Sequence, residues 1–103
     1  MSMVVRISKG RFDKARGTEV EQRLRESERS LRPALQRLAG LRAYWVAIDH
    51  EQGFMTNTSL WDTREHAAQM SGLKEMLALR SVFEGAGVVF EVITNHDLLW
   101  ELP

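Results

Sequence analysis

The sequence predicts an α+β domain of the ferredoxin-like plan, β-α-β-β-α-β, with a four-stranded antiparallel sheet and two helices on one face. Three observations predict it. Four short runs rich in β-branched and aromatic residues are spread along the 103 residues. Apolar residues at helical spacing separate the first run from the second and the third from the fourth. Only the turn His50-Glu51-Gln52-Gly53 separates the middle two, so those strands form a hairpin.

Met3-Val4-Val5-Arg6-Ile7 is the first strand, and the polar stretch Lys9 to Gly17, with two glycines, is a loop. Thr18 and Glu21 have the spacing of a capping box, and Val20, Leu24, Leu31, Leu35 and Leu38 give the helix its apolar face. Acid-first pairs such as Glu21/Arg25 and Glu28/Arg32 mark the exposed face of that helix. Pro33 lies within the pattern and should kink or restart the helix, and Gly40 ends it. Leu41–Asp49 and Phe54–Trp61 are strands two and three. Asp62 with Glu65 reads as a second capping box, opening a helix that runs to about Gly85 with a possible interruption at Ser71-Gly72. Residues 88–94 are the fourth strand, with Val88/Phe90/Val92 on one face and Val89/Ile93 on the other.

The length suits one domain, residues 1–103, burying roughly 60–70% of its unfolded surface. The formal net charge is zero, which argues against nucleic acid or an anionic membrane as partner. There is no cysteine, hence neither disulfide nor thiolate chemistry, and no window approaches the ~18 apolar residues of a membrane span. The expected location is the cytoplasm. Strands two and four are apolar on both faces, and helices cover only one. A second copy of the chain is therefore expected on the bare face, with the tail, residues 95–103, which carries Leu98-Leu99-Trp100, helping to join the subunits.

Leu31-Arg32-Pro33-Ala34-Leu35 leading into Ala39-Gly40-Leu41-Arg42-Ala43-Tyr44, and Ser59-Leu60-Trp61-Asp62-Thr63-Arg64-Glu65 followed by Ala67-Ala68, resemble segments of the antibiotic biosynthesis monooxygenase-like family. The resemblance spans roughly residues 3–94. It implies a dimeric α/β barrel in which two ferredoxin-like subunits meet sheet to sheet. It also implies small-molecule chemistry without a cofactor, including oxygenation of polycyclic phenols and oxidation of quinols. The haem-degrading branch has a histidine late in the second helix and an asparagine on strand one; Gly72 to Gly85 has no histidine and strand one no asparagine, so haem degradation is discounted.

Strand alternation places Met55, Asn57, Ser59 and Trp61 on one face. In the resembled oxygenases an Asn and a Trp at this spacing line a pocket, so Asn57 and Trp61 are candidate catalytic residues, although a Trp at a strand-to-helix joint also serves packing alone. Arg80 falls near the middle of the apolar stripe Leu73/Met76/Leu77/Phe83. It must therefore snorkel, pair with an acid or face a cavity, unless a break at Ser71-Gly72 changes the phase of the helix. His66 is a candidate base or an ordinary polar residue of an exposed first turn. Tyr44, Ser59, Met76 and Phe83 are candidate substrate contacts; Tyr44 joins the Asn57 face only if the hairpin loop has an even number of residues. Arg6 and Glu91 are read as an ion pair inside the dimer barrel. The three histidines lack metal-ligand spacing, so no metal or cofactor is expected.

Three functions compete: a cofactor-free oxygenase of a phenol or quinol, a non-catalytic binder of a small apolar molecule, and an isomerase or lyase on the same scaffold. A cavity of ~300 Å³ or more around Asn57, Trp61 and Arg80 would favour the first.

Overall fold

The computed structural model describes residues 2–103. The strands and helices run β1 (Val4–Arg11), α1 (Gly17–Gln36), β2 (Leu41–Asp49), β3 (Phe54–Trp61), α2 (Arg64–Ala67), α3 (Lys74–Gly85), β4 (Val89–Phe90) and β5 (Thr94–Asp97). A 3-10 turn at Lys14–Arg16 leads into α1, and another at Ala68–Gly72 joins α2 to α3. The sheet is antiparallel and open, ordered β2-β3-β1-β4, with β5 also pairing β1. This is the ferredoxin-like α+β plan, with its last strand in two pieces. No helix is long and apolar enough to cross a membrane.

The hairpin loop has four residues, closed by the Gly53 N–H donating to the Asp49 carbonyl at 2.9 Å, with Gly53 at φ 75°. An even loop keeps Tyr44, Val46 and Ile48 on the face of Ser59, Asn57 and Met55, their respective partners. Trp45 is thereby turned to the outer face and is 54% exposed.

Several local expectations are corrected. Thr63, not Asp62, caps α2: its hydroxyl accepts the His66 N–H at 3.0 Å, while Asp62 pairs with Arg42. Thr18 does not cap α1. Asp13 takes the Ala15 N–H at 2.9 Å and starts the chain turning earlier, so α1 begins at Gly17. Pro33 does not interrupt α1. Pro33 and Arg29, whose carbonyl loses its usual donor, both lie on the exposed side, where water can replace the missing bond.

The fourth strand also differs. Gly10 pairs with Phe90 but Ile7 pairs with Thr94, so three residues of the last strand oppose two of β1. The extra residue is a β-bulge within residues 91–93, and it reverses the face presented by the residues beyond it. Val92 is consequently 87% exposed rather than aligned with Phe90. Asn95, His96 and Asp97, expected in the tail, pair in the sheet as part of β5. The Arg6–Glu91 ion pair is absent: Glu91 lies beside Arg11 at 3.9 Å, and Arg6 is buried on the opposite, helix-covered face.

Two apolar clusters fill the space between sheet and helices. Val4, Leu31, Leu35, Trp61, Ala67 and Met70 form one; Phe12, Val20, Leu24, Met55, Phe83 and Val88 form the other. Between them the sheet presents two polar rows, Arg6–Ser59–Tyr44 and Ser8–Asn57–Val46, by the strand register.

Candidate functional site

Those polar rows floor a cavity of about 190 Å³ under α1 and α3. Arg6, Ser8, Tyr44 and Asn57 reach it from the sheet, and Met76, Arg80 and Phe83 from α3. It lies between the two apolar clusters, which Leu79 of α3 joins on the helix side. The volume is below the ~300 Å³ at which drug-sized pockets begin, and it suits a compound of one or two rings.

Asn57 sits at the centre of the floor, paired with Val46 on one side and Ser8 on the other. Its Oδ1 is buried and has no hydrogen-bond partner among the described residues. Such an atom costs about 1–3 kcal/mol unless something satisfies it. Arg6, 5% exposed, is the less expected neighbour. Burial lowers its pKa from the ordinary 12.5, and the only compensating influence is Tyr44; among the described residues no carboxylate pairs with it. Tyr44 is pushed up to about 12, first by burial, with Arg6 pulling the other way. The tyrosine is thus a neutral hydroxyl, a donor as well as an acceptor. Ser8 is also buried here. No Asp, Glu or His lines the cavity among the described residues.

Arg80 does line the cavity, at its edge. Its side chain is 53% exposed, reaches Glu84 at 3.4 Å and lies 5.2 Å over the Phe90 ring. Met76, Leu79 and Phe83 form the buried stripe of α3 and Leu77 is 52% exposed, so Arg80 lies beside the stripe and not at its centre.

Trp61, Ser59 and His66 are outside. Trp61 is fully buried in the first apolar cluster, and its indole N–H donates to the Ser59 hydroxyl at 2.8 Å, which occupies both polar groups. The indole is a packing plug. His66 lies against Gly40, whose φ of 77° leaves no space for a Cβ, since one would sit 2.0 Å from the imidazole Nδ1. That nitrogen is buried without a partner, remote from the cavity floor. Of the expected site residues, Asn57, Arg80, Tyr44, Met76 and Phe83 are brought together. Arg6 and Ser8 were missed. Alternation puts Arg6 and Ser8 on the face opposite Val5 and Ile7, but only the pairing of Arg6 with Ser59 and of Ser8 with Asn57 shows that this face is the inward one.

A wider open groove of about 750 Å³ runs between α1 and the edge strand β2. Its rim carries the exposed pairs Arg25–Glu21 and Arg32–Glu28, and no unsatisfied buried atom faces it among the described residues. No group of three or more potential metal-ligating side chains occurs among the described residues.

No family model matches the chain, and no curated protein matches it by sequence. Solved structures do. A Deinococcus radiodurans protein provisionally assigned as an antibiotic biosynthesis monooxygenase superposes with TM-score 0.73 at 16% identity, over 97% of this chain and 96% of its own. SnoaB, a cofactor-independent oxygenase from Streptomyces nogalater, superposes in a mutant form with TM-score 0.72 at 10% identity, over 100% and 99%. NE2512 of Nitrosomonas europaea, of unknown function, superposes with TM-score 0.71 at 13% identity, over 100% and 96%. End to end, the chain has the fold of the antibiotic biosynthesis monooxygenase-like proteins.

Proposed function

We propose that the protein binds a phenol or quinol of one or two rings in the sheet–helix cavity and oxidises it with O2 without a cofactor. The observation that carries this reading is Asn57, whose buried Oδ1 has no partner among the described residues, on the polar floor of a cavity with apolar walls. Asn57 lines the cavity, and a rotation of its side chain that brings Oδ1 to a ligand hydroxyl would remove the cost of its burial, whereas a purely apolar ligand would not. The likeness to SnoaB supports an oxygenase; the cavity volume supports a smaller substrate than a polycycle.

The chemistry asks little of the protein beyond binding and charge stabilisation. The ionised substrate passes one electron to O2, giving a substrate radical and superoxide. Their combination forms a C–O bond and a peroxide anion, which takes a proton. Cleavage of the O–O bond, with loss of the hydrogen on that carbon, releases water and leaves a carbonyl. One O2 thus yields one quinone oxygen and one water. Asn57 and Tyr44 orient the oxygen substituents, and the apolar walls exclude bulk water.

A non-catalytic binder is the second reading, favoured by a cavity smaller than the ~300 Å³ expected of the oxygenase, by Trp61 lying outside it in the core, and by a lining that holds no His, Asp or Glu to take a proton among the described residues. Oxygen-electrode assays with naphthols and hydroquinones separate the two. Turnover that falls at least tenfold in Asn57→Ala, with binding weakened, supports the oxygenase; binding without O2 uptake leaves only the binder.

The functional unit is proposed to be a homodimer joined through the bare sheet face. Trp45, Val89 and Val92 are exposed there, and Leu99, Trp100 and Leu102 of the tail are 80–89% exposed.

A further inference from the structure

We propose that Arg6 of β1 is the anchor for the ligand's oxyanion, and that the ligand loses its proton before it enters the cavity. This rests on the small-molecule reading above and names the residue that holds its substrate.

Three observations converge. Arg6 is 5% exposed, lines the cavity, and has no carboxylate partner among the described residues. A buried guanidinium without a carboxylate partner is expensive, so an anion bound in the cavity would be stabilised by Arg6. Arg80, the other cation of the lining, has Glu84 beside it and extends into solvent, so it does not supply that demand. Finally, no side chain of the lining is suited to remove a proton: among the described residues it holds no Asp, Glu or His, and its tyrosine stays protonated. A ligand that must be an anion to react, in a site with a fixed cation and no base, has to lose its proton before entry.

The register places the remaining groups. Arg6 and Tyr44 flank Ser59 in one cross-strand row, and Asn57 and Ser8 occupy the next row. An oxyanion at Arg6 also meets the Tyr44 hydroxyl as donor. A second oxygen substituent bearing hydrogen falls toward Asn57 Oδ1, the only buried acceptor of the floor left unsatisfied among the described residues. The pattern is one oxyanion and one hydroxyl on a flat ring system between the methionines and Phe83.

The test uses two naphthoquinones of nearly equal shape. Lawsone carries an enol that is ionised at neutral pH; menadione carries a methyl in its place. Calorimetric titration of wild type should show lawsone binding about tenfold to hundredfold more tightly than menadione, as expected for a charge-assisted hydrogen bond. Arg6→Met should abolish that preference and leave menadione binding within about threefold. Because Arg6→Met also removes an unpaired buried charge, the free variant should melt at or above the wild-type temperature, which shows that it folds. Equal binding of the two quinones to wild type, or an unchanged preference in Arg6→Met, overturns the role of Arg6 and leaves the small-molecule reading standing. Binding of neither quinone overturns the role of Arg6, and the small-molecule reading falls with it if the naphthols and hydroquinones also fail to bind.

Discussion

At the scale of single residues, the cavity is defined by polar groups that packing alone does not require. Tyr44 shows this most measurably, being the only tyrosine in the chain. Burial raises its pKa from 10 to about 12. The unfolded chain therefore ionises at pH 10 while the native state still holds its proton. Stability conferred by the neutral hydroxyl is complete below pH 10 and is lost as pH rises from 10 to 12, about 2–3 kcal/mol in all. Tyrosinate absorbance in native protein should titrate near 12, and Arg6→Met should move the midpoint higher, since the guanidinium favours the anion. A midpoint near 10 would mean that Tyr44 is solvated. Asn57 was legible because strand alternation is local, Tyr44 only once the hairpin loop proved even, and Arg80 reaches the cavity from its edge and not from the centre of the buried stripe. Arg6 was not legible. With valine, isoleucine and arginine alternating on one strand, hydrophobicity alone sends the arginine to the open face, and only the pairing of β1 with Ser59 on β3 reverses that.

At the scale of elements, the sequence was most informative where one period holds over many residues. The hairpin and α1 follow their patterns almost residue for residue, and Pro33 is absorbed because it lies on the exposed side. Boundaries set by competing polar side chains were less legible: Asp62 and Thr63 are both sound caps, and the pairing of Asp62 with Arg42, distant in sequence, decides between them. The β-bulge in residues 91–93 was invisible for the same reason, since it exists only relative to β1. It serves the site, because Ile93 closes the cavity wall while Val92 turns outward. Where α1 gives way to β2, Gly40 is required by both its positive φ and the imidazole against it. Gly40→Ala should destabilise the protein by more than about 1 kcal/mol in urea denaturation, and Gly40→Ala combined with His66→Gly, set against His66→Gly alone, should recover the steric part, since the His66 Cβ itself would lie 2.9 Å from the new Cβ. No recovery would mean that the backbone strain is the whole cost.

At the scale of the molecule, one sheet has a helix-covered face divided by a polar cavity and an outer face with exposed tryptophan and valine. The outer face supports the proposed dimer. Sedimentation velocity should find a dimer for wild type and a monomer for Trp45→Lys, because a lysine amine cannot be left unpaired in a dry interface. A monomeric wild type would remove the second copy from the account. The covered face carries the central claim, that Asn57 is retained for a ligand and not for the fold. Thermal unfolding of ligand-free Asn57→Leu tests it most directly, since leucine removes the unsatisfied Oδ1 and has the cavity beside it to occupy. The account predicts a melting temperature about 4–8 °C above wild type, the shift expected for roughly 1 kcal/mol in a domain of this size. A fall of similar size would contradict it, showing that Asn57 holds the native structure together and that the cavity floor was not kept for binding.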